Sequence, residues 1–179
     1  MKEKYLPFIN SSITYITIAF FFLLPVFFLP VTTEYYEFNK LALSATVTFI
    51  LIALWATKML IESKVEVARS PLNAPILMFL AVHLISTYFS ISRYSSIYGT
   101  YGRWSGSLAL VTVGSLLYFV IISNIKSSET VNSLLVALTA GITLSSVAAT
   151  LSYLGIKFSN AAFAYGRGFT LTGSTSSAS

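Results

Sequence analysis

Long apolar segments alternate with short polar links along the chain, and each segment has the length of a membrane-crossing helix. A helix needs roughly 20 residues to cross about 30 Å of hydrocarbon. The pattern predicts an all-α protein, a polytopic transmembrane helical bundle of about five spans that occupies residues 1–155. The predicted spans cover about residues 9–31, 39–61, 75–90, 107–123 and 131–154.

Prolines and polar residues mark the ends of these runs. Pro25 and Pro30 remove backbone donors and are expected to bend or end the first helix near its outer end. Ser70-Pro71 and Pro75 favour extended chain before the third run. Residues 156–179 are rich in glycine, serine and threonine, which predicts a polar outer-face tail or the start of a further segment.

The composition is that of a membrane protein. Hydrophobic residues make up 55% of the chain and charged residues 9%, against about 25% charged in soluble domains. The net charge of +5 is spread along the chain, so it predicts contact with the lipid bilayer and no nucleic-acid partner. Cysteine and aspartate are absent and there is one histidine, a composition that argues against metal sites and disulfides. We therefore expect neither a metal nor another cofactor.

Lysine and arginine in short links are preferentially retained in the cytoplasm. With the amino terminus in the cytoplasm, the two sides carry nearly equal numbers of basic residues, so this orientation is an expectation with a weak charge bias. Arg103 and Arg167 then lie on the outer side, where the topology rule disfavours them. Their position invites a functional explanation.

The stretch SSIYGTYGRWSG, residues 95–106, lies between the third and fourth apolar runs. Tyr101 and Trp104 suit the headgroup level of a membrane, and their ring faces also suit stacking on a sugar. The guanidinium of Arg103 fits a phosphate or diphosphate bidentately. Two interpretations stay open from these residues: a clamp for a phosphate-linked, sugar-bearing lipid, or an interfacial anchor in ordinary lipid.

Other polar residues carry weaker signals. His83 lies inside an apolar run without an acidic neighbour, which favours a neutral histidine hydrogen-bonded across the bundle over a proton relay. Glu34 and Glu37 are interpreted as solvated interfacial charges, with a catalytic carboxylate pair or a local ion pair to Lys40 as the alternatives. Small residues about four apart in the fifth run predict a helix-packing face: Ala140, Gly141, Ser145, Ser146, Ala149 and Thr150.

The order of four motifs resembles the amino-terminal part of bacterial O-antigen ligase and O-antigen polymerase family membrane proteins. These motifs are LLPVFFLP in the first run, EYYEFNK before the second, ISTYFSIS at the end of the third, and SSIYGTYGRWSG. The segment YGRGFTLTG around Arg167 is a weaker fifth match, because this chain has Gly173-Ser174-Thr175 where the family often has a glycine-asparagine-proline turn.

The resemblance implies a metal-independent glycosyltransferase of polysaccharide biosynthesis in the bacterial inner membrane. Such a protein moves a glycan from an undecaprenyl-diphosphate carrier at the outer face of this membrane to an acceptor that the sequence does not identify. In the family, outward-facing arginines engage the diphosphate. This role carries over to Arg103 first, then to Arg167 and Arg93, with Tyr101 and Trp104 as sugar or lipid contacts.

Family members have more helices and a large outer loop with an essential histidine. The chain is therefore expected to be the front section of such a ligase or polymerase, an incomplete portion of a larger bundle, and inactive as a transferase by itself. The alternative is a non-catalytic integral membrane protein, such as a transporter subunit or an assembly partner. In that case the same arginines only anchor the protein in the membrane.

Overall fold

The structure, a computed structural model, describes residues 2–28, 37–100, 104 and 106–154. The described part of the chain is all-helical, as the sequence predicts. Its helices are α1 (Lys2–Val26), α2 (Glu37–Glu62), α3 (Asn73–Tyr88), α4 (Arg93–Tyr98), α5 (Leu108–Asn124) and α6 (Ser128–Tyr153).

Three of these helices are long and apolar enough to cross a membrane: residues Tyr5–Val26 of α1, and the whole of α2 and α6. The apolar helices α3 and α5 have 16 and 17 residues. At 1.5 Å per residue they are about 24 and 26 Å long, a little less than the hydrocarbon thickness of about 30 Å. The bundle is thus of the membrane-embedded kind, and the count of five spans stays a prediction.

The helix bounds follow the apolar runs with two differences. First, α1 begins at Lys2, inside the charged start of the chain, and ends at Val26 directly after Pro25. Lysine and glutamate favour helix, so the charged residues extend the helix beyond the apolar run. Second, the short helix α4 lies in the link after the third run, where no helix is predicted.

The helices pack in a connected series in which α1 contacts α6 and α2, α2 contacts α5, and α5 contacts α3. Helices α1 and α6 run in the same direction, because residues 10–18 lie beside residues 129–133 and Phe22 lies against Gly141. A Cβ atom at Gly141 would lie 2.5 Å from the Phe22 carbonyl oxygen. This close approach, with the burial of Ser145, confirms the predicted packing face at these two positions. Three other members of the predicted face, Ala140, Ser146 and Thr150, are exposed, so the face is narrower than predicted.

The buried positions combine a few branched apolar side chains with small hydroxyl side chains. Ile13, Leu51 and Val120 are at most 1% exposed. Thr17 is also fully buried and donates its hydroxyl to the Ile13 carbonyl oxygen at 2.7 Å. Serines and threonines between helices are typical of membrane bundles, in which close packing and hydrogen bonds hold the helices together.

Large apolar side chains cover much of the outside of the bundle: Phe8, Phe49 and Leu60 are 70%, 75% and 80% exposed. An apolar surface of this kind is unfavourable in water and matched to its surroundings in lipid.

The ends of the helices gather at two opposite ends of the bundle. At the end that we call the Trp104 end, the starts of α2 and α5 lie together because Trp104 contacts Glu37. At the end that we call the Lys58 end, Lys58 Nζ donates to Asn124 Oδ1 at 3.1 Å, and the Ala68 backbone N–H donates to Ser123 Oγ at 3.2 Å. Helices α2 and α5 therefore run parallel to one another.

Candidate functional site

The Trp104 end is built on a hydrogen bond between distant parts of the sequence. The backbone N–H of Trp104 donates to Glu37 Oε2 at 2.7 Å. Glu37 lies in the first turn of α2, where the helix dipole stabilises a carboxylate. A hydrogen bond to an ionised acceptor is shorter and stronger than a neutral one. The side chain thus fixes the start of α2 to the loop that precedes α5.

The Trp104 ring packs beside the same turn of α2. Its centroid lies 5.3 Å from that of Phe38, with the ring planes at 54°. The indole Nε1–H is shielded from solvent and has no hydrogen-bond acceptor among the residues that the structure describes. Buried tryptophan N–H groups usually have a partner, so this donor marks a place where an acceptor would be favourable.

A cavity of about 240 Å³ opens beside Trp104. Its walls are mostly apolar and include leucines from α1, α2 and α5, and residues from the first two turns of α2 also line it. The lining residues are Leu24, Glu37, Lys40, Leu41, Ser44, Trp104 and Leu110. The Ser44 hydroxyl donates a hydrogen bond to the Lys40 carbonyl oxygen at 2.7 Å, so its proton is used within α2.

Two of the predicted site residues lie in the described part of the chain. Trp104 lines the cavity, whereas Arg93 does not. Arg93 begins α4, is exposed, and holds its guanidinium carbon 5.4 Å from the centre of the Tyr88 ring, a cation–π distance. The other three predicted residues, Tyr101, Arg103 and Arg167, lie outside the described residues, so their roles stay predictions.

Both charged residues of the cavity are absent from the predicted site. Glu37 is interpreted from the sequence as a solvated charge, and the structure instead gives its carboxylate a backbone hydrogen bond to Trp104. Lys40 is half-buried and lines the same cavity. One sequence signal could have pointed to Glu37 and Lys40. Both are charged residues in the opening turns of a helix, in a chain with only 9% charged residues.

Among the residues that the structure describes, His83 has its hydrogen-bond partner within its own helix and not across the bundle as the sequence favours. Its Nδ1 lies 3.1 Å from the carbonyl oxygen of Phe79, on the same helix, and its ring packs on the Phe79 ring with centroids 4.3 Å apart. A carbonyl one turn earlier on its own helix supplies the partner, so no second helix is needed. The side chain is half-buried on α3, away from the cavity at Trp104.

The Lys58 end has a polar cavity of its own, of about 210 Å³. Both charge types line it, namely Lys58, Glu62, Glu66 and Lys126. Hydrogen bonds of Lys58 to Asn124 and of Ala68 to Ser123 tie the link after α2 to the end of α5. These contacts explain this cluster as a structural connection between links, and its residues provide matched controls for the Trp104 end.

No protein-family model, curated protein or solved structure matches the chain. The fold defines the class, a membrane-embedded helical bundle. The resemblance to a particular family rests on the sequence motifs and stays a prediction.

Proposed function

We propose that the chain takes part in glycan transfer from an undecaprenyl-diphosphate carrier at the outer face of the bacterial inner membrane, as O-antigen ligases and polymerases do. The observation that supports this proposal is the hydrogen bond between Trp104 and Glu37. It joins two of the segments that carry the resemblance, EYYEFNK and SSIYGTYGRWSG, at one end of the bundle. One described residue from each of two family-like motifs, Glu37 and Trp104, is thereby in contact although the motifs are far apart in sequence.

The residues that the resemblance assigns to the carrier suit a diphosphate leaving group. Negative charge develops on the diphosphate as the glycosidic bond breaks, and a fixed guanidinium stabilises that charge more than it stabilises the ground state. Arg103 directly precedes Trp104 in the sequence, so the proposal assigns it the diphosphate. The rings of Tyr101 and Trp104 are assigned to the sugar or the lipid chain.

One observation favours the alternative, a non-catalytic membrane protein in which the arginines act as anchors. The guanidinium of the exposed Arg93 lies over the Tyr88 ring, and an arginine beside a tyrosine is typical of side chains that hold a helix end at the membrane interface. The two functions differ in what Arg103 contributes, since an anchor has no preference for a diphosphate carrier.

Carrier binding distinguishes these functions. The purified chain in neutral detergent is titrated with undecaprenyl diphosphate and with undecaprenol, and complexes are counted by native mass spectrometry. Glycan transfer predicts preferential binding of the diphosphate, and a loss of about tenfold or more in affinity for Arg103→Ala, because a hydrogen bond to a charged group is worth about 1.5–3 kcal/mol.

The control is Arg69→Ala, an exposed arginine at the Lys58 end. It should bind the carrier as the unmodified chain does. Equal binding of undecaprenol and undecaprenyl diphosphate, or equal losses in the two arginine variants, would refute the proposed function and favour the anchoring role.

A further inference from the structure

A polar groove of about 370 Å³ lies on the outside of the bundle, between α1 and α6. Both helices contribute polar side chains to it: Asn10, Ser11 and Thr14 from α1, and Glu129, Thr130 and Ser133 from α6. Asn10, Ser11 and Glu129 are exposed, so the groove is open to whatever surrounds the bundle.

The groove lies where a membrane-spanning helix begins. Helices α1 and α6 are both long and apolar enough to cross a membrane. Helix α6 begins at Ser128, at the Lys58 end, because Lys126 lines the cavity at that end. The first turns of α6 therefore stand where the hydrocarbon gives way to the lipid head groups. A head group is the neighbour that a groove at this level meets.

The charge of the groove selects among head groups. Among the described residues, Glu129 is the only charged one that lines it. In the cavity at the Lys58 end, by contrast, Lys58 and Lys126 balance two glutamates. Glu129 lies in the first turn of α6, where the helix dipole stabilises a carboxylate. The groove thus carries a negative charge without a cation of its own, and it matches a positively charged head group.

The uncharged side chains of the groove add a second criterion. Asn10, Ser11 and Thr14 have no hydrogen-bond partner among the described residues, so their oxygen atoms are available as acceptors. A primary ammonium has three N–H donors and can bind a carboxylate, an amide oxygen and a hydroxyl at once. A quaternary ammonium carries the same charge and has no N–H donor. The groove therefore favours a primary ammonium.

We infer that the groove lined by Asn10 and Glu129 binds the ammonium head group of a phosphatidylethanolamine-type lipid. The Glu129 carboxylate neutralises the ammonium, and the Asn10 amide oxygen accepts one of its protons. This site is separate from the Trp104 end, and it does not depend on the proposed function.

Lipid selectivity tests this inference. The purified chain in dodecyl maltoside is titrated separately with phosphatidylethanolamine, phosphatidylcholine and phosphatidylglycerol that have the same acyl chains, and bound lipids are counted by native mass spectrometry. The first two lipids have the same net charge and differ in N–H donors, whereas the third has no ammonium. Phosphatidylethanolamine should bind more tightly than either of the others.

Substitutions in the groove should reduce this preference. Glu129→Gln should weaken phosphatidylethanolamine binding about threefold, as expected for loss of an ion pair at an exposed position. Asn10→Leu should also weaken it, and both residues are exposed, so neither substitution disturbs the core. Glu66→Gln is the matched control, because Glu66 is an exposed glutamate that lines the other cavity at the Lys58 end. It should leave the lipid preference unchanged.

Three results would overturn the inference. The first is equal binding of the three lipids or a preference for phosphatidylglycerol. The second is an equal effect of Glu129→Gln and Glu66→Gln. The third is a dimer that Glu129→Gln dissociates, which would assign the groove to a second copy of the chain.

Discussion

The contact between α1 and α6 depends on the absence of a side chain at Gly141. A Cβ atom at this position would lie 2.5 Å from the Phe22 carbonyl oxygen and 3.2 Å from Pro25 Cγ. An ordinary carbon–oxygen contact is about 3.3–3.6 Å, so the helices would have to separate by about 1 Å. The nearest atom belongs to the backbone, which moves less readily than the tip of a flexible side chain.

The expected cost of Gly141→Ala follows from this distance. Overpacking a close contact costs about 1–3 kcal/mol. Replacing glycine with alanine inside a helix contributes about 1 kcal/mol in the opposite direction through helix propensity. The packing cost and the propensity gain must therefore be measured separately.

Gly114→Ala provides the matched control. Gly114 also lies inside an apolar helix, and a Cβ there would meet nothing within 4 Å. This variant should be as stable as the unmodified chain or slightly more stable. The difference between the two variants isolates the contact of Gly141 with α1, and it should be about 1–3 kcal/mol, since the propensity gain is common to both.

The assay is unfolding by increasing mole fractions of sodium dodecyl sulfate in dodecyl maltoside micelles, followed by circular dichroism. Gly141→Ala should unfold at a clearly lower fraction of sodium dodecyl sulfate than Gly114→Ala. Identical midpoints for the two variants would show that α1 and α6 do not approach closely at Gly141, and the arrangement of these helices would be wrong.

Two further substitutions test other contacts. Glu37→Ala removes the acceptor of the Trp104 backbone N–H and should increase proteolysis in the loop before α5, as mapped by limited digestion; an unchanged cleavage pattern would argue against this contact. Leu51→Ala, at a side chain with 0% exposure, should cost about 2 kcal/mol in the same unfolding assay because packing contacts are lost. Leu60→Ala, at 80% exposure on the same helix, should change little, and equal effects would contradict the position of α2.

The helices could be predicted from the sequence because each apolar run is long enough to impose one conformation in lipid, where backbone groups must be satisfied internally. The packing role of Gly141 was predictable for a related reason, since small residues at helical spacing allow close approach. Helix α4 could not be predicted from the sequence, because the segment RYSSIY has neither an apolar run nor a helical periodicity.

The cavity at the Trp104 end is the part that sequence patterns do not reveal. Glu37 and Trp104 are 67 residues apart, and their contact depends on which helix ends become neighbours in the bundle. The sequence does not show which helix ends become neighbours, so charged residues in the links are interpreted from it as solvated. Lys40 could have been singled out as a cation in the opening turns of an apolar helix, but its neighbours Leu24 and Leu110 come from other helices.

The most direct test of the central claim, that the Trp104 end meets its lipid ligand on the outer face of the membrane, is cysteine accessibility in intact bacteria. The chain contains no cysteine, so single-cysteine variants give an unambiguous signal. Helix α3 begins at the Lys58 end, where Asn73 Nδ2 donates to the Ala68 carbonyl oxygen, so the link after α3 lies at the Trp104 end. Ile91→Cys is at a fully exposed residue of this link, and Lys64→Cys is at an exposed position at the Lys58 end. A membrane-impermeant maleimide should label Ile91→Cys in intact cells and Lys64→Cys only after lysis; the reverse pattern would place the Trp104 end in the cytoplasm and contradict the proposed function.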